Sequence, residues 1–564
     1  MKGRIIVDDK KRSVRKLGIV LIFVICAILA TYPAFIGGYF KGTTDGQIHF
    51  IRFEAITVAL KNIEIPQLIN FMGYQNVGQA FNGMYPWISG LIFILPKLFI
   101  SKPIYALFVG FVLLNLVTML NTYLLARYLT TKIYWRLLGV MVYEFNSYHM
   151  IIMYGRNAVG EMLAYSFLPL VFLGYIQIME GKRDGIWALG IGMGMILNSH
   201  VVSALYTFLI LGIIELSRLF LKKLSLAELV NCVYAGIVAI VVSCYSIANL
   251  ILIMHKNQLM TPWKRLEQIS VSEMWGAMLN NSISDVITWN IGLVSFILFV
   301  AMIVQIFKRE KAGSWKYWII GAMTVYFLTL SWIPYPKQLG ETFLGNIQFL
   351  GRLLSFVMIF IVIGMCLYLE MYGVEISPKF CVGIVGISLV IMSSAGVVTF
   401  HDTKGDYNVR YYLNNKNYLS DISKGKEGWY DYMIANPKDG NQWLINVEDP
   451  NNGLANRLDI KSNYSSLTFK INAQKSERVQ VPFLLYNGIK YNISVNGERE
   501  YSFNSGQVLT INVDKGINSI EISSEVPKFN YFTLALSVVA IIFSILMLIL
   551  TSFKKSGKNC VKVS

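Results

Sequence analysis

Long apolar runs recur from residue 17 to near the C-terminal end of the chain. Each approaches the roughly 20 residues needed to cross a hydrocarbon core. The pattern predicts spans at about 17–37, 103–128, 133–148, 160–180, 185–198, 201–220, 228–253, 287–307, 316–333, 352–372, 379–398 and 529–552. That makes twelve crossings, the ones near 133 and 185 being short. The first run, Leu17 to Ile36, follows a basic head of Lys10, Lys11, Arg12, Arg15 and Lys16. It lacks a small-residue cleavage site, so it reads as a retained span rather than a signal peptide. A large loop follows at about 38–83. Within it, Ile48, Ile51, Ala55, Val58 and Ala59 recur at helical spacing between Asp45 and Lys61. That spacing predicts a helix lying along the membrane surface. The run Met84 to Ile100 is apolar too, but Pro86 and Pro96 make it a poor continuous helix.

From about residue 400 to 527 the pattern changes. Runs such as SSLTFKINA, VQVPFLLY and KYNISVNG alternate apolar and polar positions, and Gly, Asn and Asp punctuate them. Period-2 alternation with turn residues at the ends predicts an all-β module, a sandwich. The chain therefore divides into a multi-span membrane domain (1–399, with interfacial segment 84–100), a β domain (400–527) and a final span with a basic tail (528–564). The fold class is a polytopic α-helical membrane protein carrying an extracellular all-β domain.

Composition agrees. The chain is 55% hydrophobic and 15% charged, where a soluble protein carries about a quarter charged residues. Its net charge of +17 raises the question of a nucleic-acid partner, and the distribution answers against it. The 401–527 stretch holds 14 Lys and Arg against 15 Asp and Glu. The excess lies in short loops: Arg127, Lys132 and Arg136; Lys182 and Arg183; Lys222 and Lys223; Lys308, Arg309 and Lys311; Lys379; and the tail with Lys554, Lys555 and Lys558. All fall on one side if the N-terminus is cytoplasmic, as the positive-inside rule expects. Counting 84–100 as a span would invert every later loop, so it reads as an interfacial or re-entrant segment. Both termini are then cytoplasmic and the β domain is outside. The cysteines (Cys26, Cys232, Cys244, Cys366, Cys381 and Cys560) avoid the β domain, which therefore has no internal disulfide. No metal-type Cys/His spacing or Gly-rich phosphate loop is present.

Four polar clusters fall on the outer side. In TTDGQIHFIRFE, Asp45, His49 and Arg52 are spaced i, i+4, i+7 and share a helix face. Such a set can bind a phosphate or handle a proton; equally, Thr44 or Asp45 can cap the helix and Arg52 can meet lipid head groups. In YGRNAVGEMLAY, Arg156 and Glu161 stand at a span's mouth, with Asn157 four residues before Glu161. They read as a functional pair or as an anchor for the helix end. Glu144 and His149 lie just upstream. His200 sits between two runs, where a histidine is commonly just solvated. Gln348 and Arg352 open a late span. There Arg352 can hold a lipid phosphate or simply snorkel. All five histidines, His255 and His401 included, fall outside in this topology.

Taken in order, these motifs resemble the GT-C-fold bacterial membrane glycosyltransferases. The likeness is nearest to the YfhO-like proteins and the relatives described as 6-pyruvoyl-tetrahydropterin-synthase-related membrane proteins. It rests on Asp45-His49-Arg52, Tyr85-Pro86, Tyr154 and Arg156, Gly160-Glu161, Pro169-Leu170, Ser199-His200 and Gln348-Phe349 with Arg352. The β-domain phrase VPFLLYNGIKYNISVNGE is similar as well. The relatives read Gln-Phe-Pro-Trp-Arg where this chain has Leu350-Gly351 before Arg352. The resemblance implies transfer of a sugar from a polyprenyl-phosphate donor to a cell-envelope glycan or teichoic-acid-like polymer, at the outer face of the bacterial plasma membrane. It implies Asp45 as catalytic base, or as ligand of a divalent metal. His49, Arg52, Tyr154, Arg156, Glu161, His200, Gln348 and Arg352 are then substrate-binding. A transporter or flippase for a lipid-linked glycan, or a non-catalytic glycan-binding scaffold, are the rival readings. The nearly charge-free spans and the lack of a repeat favour the enzyme over the transporter. The assignment predicts that Asp45, Arg156, His200 and Arg352 line one outer cavity.

Overall fold

The computed structural model describes residues 2–260, 262–284, 289–311, 313–424, 431–436, 439–443, 454–500 and 507–554. Lys555, Lys558 and Cys560 of the basic tail lie outside them. Most of the described chain is helical, with a β-rich unit near its C-terminal end. Seven helices are long and apolar enough to cross a membrane: Lys16–Gly38, Pro103–Leu129, Val159–Met179, Val201–Phe220, Leu350–Tyr372, Pro378–Asp402 and Phe529–Thr551. An eighth candidate, Leu226–Val242 with Cys244–Lys256, bends by 73° at Ser243. The other expected spans are short helices, among them Ile133–Glu144, Gly185–Leu197 and Leu293–Lys308. At 1.5 Å per residue the 13 residues of Gly185–Leu197 reach about 20 Å, less than a hydrocarbon thickness. The Ile133–Glu144 helix breaks at Asn146, whose side chain caps the next turn, and continues as a π-helical turn, Ile151–Gly155.

The polar loop after the first span does more than lie on a surface. Tyr39–Thr43 forms a strand that pairs antiparallel with Val409–Asn414, far along the chain. The helix Thr44–Lys61 follows, as its periodicity predicts. Ile48, Ile51, Ala55 and Ala59 are buried, but Val58 is 36% exposed and belongs to another face. Phe50, Phe53 and Ile56 are buried as well, so the helix is enclosed on most sides rather than amphipathic. The Met84–Ile100 run contains only a nine-residue helix, Leu91–Phe99, about 14 Å long and too short to span. Within it Lys97 pairs with Glu54 and lies over the Tyr418 ring.

The β-rich unit holds a five-stranded antiparallel sheet facing a two-stranded one, Glu477–Leu485 with Gln507–Val513. Phe469, Ile471, Ile520 and Ile522 from one layer meet Val481, Phe483, Leu509 and Ile511 from the other, the inward half of each alternating strand. This core is not closed by strands alone. Leu68, Ile69, Phe71, Val77, Ala80 and Met84 of the first loop are built into it. The loop therefore belongs as much to the β-rich unit as to the helices. Tyr74, Gln75 and Asn76 are three successive non-glycine residues with φ near +50°, a conformation that costs energy unless its surroundings hold it. Arg457 does so, donating to the carbonyls of Gln75 and Asn76 at 2.7 Å each. Arg457→Ala is expected to cost about 1–3 kcal/mol, measured as a lower Tm and faster proteolysis of the 67–80 loop; unchanged values would mean the turn holds itself.

Candidate functional site

The starts of three long helices and the Thr44–Lys61 helix converge at one end of the bundle. Thr43, not Thr44 or Asp45, occupies the cap position, and its side chain does not cap. Its hydroxyl instead donates to the Arg156 carbonyl, and its N–H donates to Asn157 Oδ1 at 2.8 Å. Asp45 is thereby free to face Arg156, whose Nη2 lies 3.4 Å from Asp45 Oδ2. Asn157 does not share a helical face with Glu161. It precedes the helix in the left-handed region, φ +48°, where asparagine is tolerated, and its amide also donates to Met153 O. Gly46 permits this approach, because a Cβ there would sit 2.6 Å from Asn157 Oδ1.

Glu161, in the first turn of Val159–Met179, is the hub. It accepts from Arg156 Nη1 at 3.0 Å and from Arg352 Nε at 2.6 Å. Its side chain is 6% exposed, as is that of Arg156. Breaking such a buried group of charges by removing one member is costly. Gln348 and Arg352 are not i, i+4 on a helix. Gln348 has φ +60° and Arg352 lies in a 3-10 turn before Leu354–Tyr372. They still meet, with Arg352 Nη1 donating to Gln348 Oε1 at 3.0 Å. Aromatic rings wall the guanidiniums: Arg156 lies 4.9 Å from the centre of Trp289, and both Arg156 and Arg352 lie over Phe349. A Cβ on Gly351 would lie 2.3 Å from the Trp289 ring. Trp289 thus fills from another segment the space beside the motif.

Arg52 is fully buried and has no carboxylate partner among the described residues. It donates to Asn82 Oδ1, to the carbonyl of Tyr85 and to His49 Nδ1 at 3.2 Å. A guanidinium can only donate, so His49 Nδ1 accepts and the ring carries its proton on Nε2. His200 is not a solvated boundary residue. It caps Val201–Phe220, accepting from the Ser203 N–H at 3.3 Å, which fixes the same tautomer. The two rings flank Tyr85, with centroids at 4.7 and 6.1 Å. Burial pushes the His200 pKa down to about 4 and that of His49 well below its usual value, Arg52 adding to the latter. Both are neutral donors rather than bases. Asp45 differs: its side chain is 34% exposed, and burial of the rest raises its pKa while Arg156 opposes. Among the described residues it is the site's carboxylate with an oxygen to spare. The cavity between Tyr148, Glu161, Ser203, Tyr206 and Arg352 measures about 20 Å³, room for a water molecule; of Asp45, Arg156, His200 and Arg352, expected to line one cavity, Arg352 alone lines this one.

Asp45, His49, Arg52, Arg156, Glu161, His200, Gln348 and Arg352 thus come together. Tyr154 does not; its hydroxyl donates to Ala30 O at 2.9 Å and its ring packs on Phe111. Glu144 and His149 form a separate, fully enclosed pair 4.0 Å apart. Among the described residues no group of three or more His, Cys, Asp or Glu is placed to hold a metal ion. Asp45 faces a guanidinium, which does not suit a divalent cation. Trp289 and Asn82, which no spacing in the sequence singles out, also reach the site, against Arg156 and Arg52 respectively. No protein-family model matches the chain, and no curated protein matches it either.

Two outcomes follow from this geometry. Glu161→Gln leaves two buried guanidiniums without their shared countercharge, and is expected to cost about 3–5 kcal/mol in thermal unfolding. His200 stays neutral when folded down to about pH 4, whereas unfolded it takes a proton below about 6.5. Its contribution to stability therefore rises with pH between those values. The Tm of the wild type relative to His200→Gln should fall as pH drops through that window; a constant difference would contradict the neutral ring.

Proposed function

We propose that this protein is a membrane glycosyltransferase, moving a sugar from a polyprenyl-phosphate donor to a cell-envelope glycan or teichoic-acid-like acceptor. The observation that carries the reading is the meeting of Asp45, with one oxygen uncommitted among the described residues, and the Arg156–Glu161–Arg352 cluster at one end of an apolar helix bundle. In this scheme the donor phosphate binds beside Arg352 and Arg156, in competition with Glu161. Asp45 takes the proton of the acceptor hydroxyl, whose oxygen attacks the anomeric carbon in line. The bond from that carbon to the phosphate oxygen breaks, and the electron pair leaves on the polyprenyl phosphate. The guanidiniums offset the charge gathering there, and the Nε2–H groups of His49 and His200 offer hydrogen bonds to sugar or phosphate oxygens. The raised pKa of Asp45 suits a base. No step is routed through a metal.

The same reading takes the chain to cross a bacterial plasma membrane twelve times, with both termini cytoplasmic and the site and β-rich unit outside. The basic loops support that orientation. A flippase for a lipid-linked glycan is the second reading. It is favoured by the enclosed Glu144–His149 pair at a break between Ile133–Glu144 and the following turn, since transporters use broken helices around ionisable groups.

Reconstitution with a polyprenyl-phosphate sugar and an envelope acceptor separates them. Asp45→Asn is expected to lower transfer by about 10²–10⁴-fold with little change in donor binding. Robust transfer by the variant would overturn Asp45 as base. Donor translocation across vesicles without transfer would favour the flippase.

A further inference from the structure

Glu144 and His149 stand at the point where the Ile133–Glu144 helix stops. A continuous helix would give the Glu144 carbonyl a backbone N–H from four residues on. Here the His149 ring takes that place, its Nδ1 lying 2.9 Å from Glu144 O. A carbonyl only accepts, so Nδ1 carries the proton and Nε2 is left with a lone pair. Both side chains are fully enclosed. Among the described residues neither Glu144 carboxyl oxygen has a hydrogen-bond partner, and His149 Nε2 has none either. Glu144 Oε1 lies 4.0 Å from His149 Nδ1, too far for a hydrogen bond.

The surroundings supply no countercharge. Tyr165 stacks on the His149 ring at 4.6 Å and on Tyr143 at 4.2 Å, with Tyr148 beside it. The first helix presents Cys26, whose thiol turns to Met141, and Leu354–Tyr372 presents Cys366 against Trp135. Pro103–Leu129 carries no titratable residue between Tyr105 and Tyr123, and Pro378–Asp402 none between Cys381 and His401. A bare carboxylate in such a place, with neither donor nor cation, is too costly to persist. Glu144 is therefore a carboxylic acid in this form of the protein, and its O–H is the complement of the Nε2 lone pair.

We propose that Glu144 and His149 form a binding site for one exchangeable proton, which adds from water to a Glu144 carboxylate oxygen and is held by a hydrogen bond to His149 Nε2. The site is separate from the polar end and does not depend on what binds there. Its place in the chain gives the proton leverage. Asn146 accepts from the His149 N–H at 3.0 Å, and the connection then runs through the π-helical turn to Arg156, whose N–H donates to Ile151 O at 2.8 Å. Such turns are frequent at functional sites. When the O–H bond breaks and the proton returns to water, the carboxylate needs solvation, so the connection opens to admit water. Arg156 moves with the end of that connection. Low pH favours the closed form, and each opening releases one proton.

The test uses the full chain in lipid nanodiscs. The wild type is compared with Glu144→Gln, which keeps the shape of the neutral acid and has no acid proton to lose, and with His149→Asn, which keeps a donor near Nδ1 and loses Nε2. At neutral pH the wild type is expected to show the infrared C=O stretch of an un-ionised carboxylic acid. Glu144→Gln should remove that band, and His149→Asn should move it to higher frequency. Hydrogen-exchange protection of the 145–156 amides should fall about tenfold per pH unit in the wild type and stay constant in Glu144→Gln, whose Tm should equal or exceed the wild type's. No band lost in Glu144→Gln would overturn the proton site, and a band unmoved in His149→Asn would overturn the pairing. Protection independent of pH in the wild type, or falling equally in Glu144→Gln, would overturn the coupling to the connection. A Glu144→Gln chain that fails to fold, or melts lower, would show that Glu144 is needed as a charge and overturn the neutral acid.

Discussion

One buried carboxylate holds this structure's polar end together. Glu161 bonds Arg156 at one oxygen and Arg352 at the other, and so ties the turn before one long helix to the turn before another. Asp45 joins the cluster through Arg156, which brings in the first loop. The arrangement is expensive to bury, because each ion loses its water and is repaid only by good geometry. Among the described residues three guanidiniums, Arg52 included, meet two carboxylates, and the two histidines held as neutral rings add nothing to the charge. Attraction for an anion is strong there because little solvent screens it, and Glu161 marks where such an anion would compete.

The β-rich unit is coupled to this cluster by a continuous set of hydrogen bonds. Ser524 donates to the Gln67 side chain, and the Gln67 backbone carbonyl accepts from the Asn82 side-chain amide. Asn82 in turn accepts from Arg52, which fixes the His49 tautomer. Packing follows the same route, since the 67–84 loop is shared between the unit's core and the site. The β-rich unit is therefore better understood as part of the site's framework than as an independent module. A separate two-stranded sheet, Tyr39–Thr43 against Val409–Asn414, ties down the chain immediately before Asp45.

Much of this was legible from local pattern. The Thr44–Lys61 helix, the break at Met84–Ile100 and the β-rich stretch follow from periodicity, proline and turn residues; of the four residues expected to line one cavity, Arg352 alone lines the small one beside Glu161. Features fixed by distant contacts were not. The pairing of residue 39 with residue 414 leaves no local trace. Val58 matched the periodicity of a buried face, yet that helix is enclosed by neighbours on most sides and leaves Val58 toward solvent. Asn157 and Gln348 fit helical spacing to Glu161 and Arg352, but both adopt positive φ, which spacing alone cannot reveal. Tyr154 is grouped with Arg156 only by the resemblance, while its hydroxyl bonds away from the cluster, to Ala30. Where the motif lacks its aromatic residue at Gly351, Trp289 fills the space from another segment.

The central claim is that the Arg156–Glu161–Arg352 cluster, with Asp45 beside it, receives the phosphate of a lipid-linked substrate. The most direct measurement is a structure of the full chain in lipid with a non-transferable polyprenyl-phosphate sugar bound. The account predicts the phosphate within hydrogen-bond distance of Arg352 and Arg156, with Asp45 facing the anomeric carbon from the side opposite the phosphate. A head group bound elsewhere, with both guanidiniums still closed on Glu161, would contradict it.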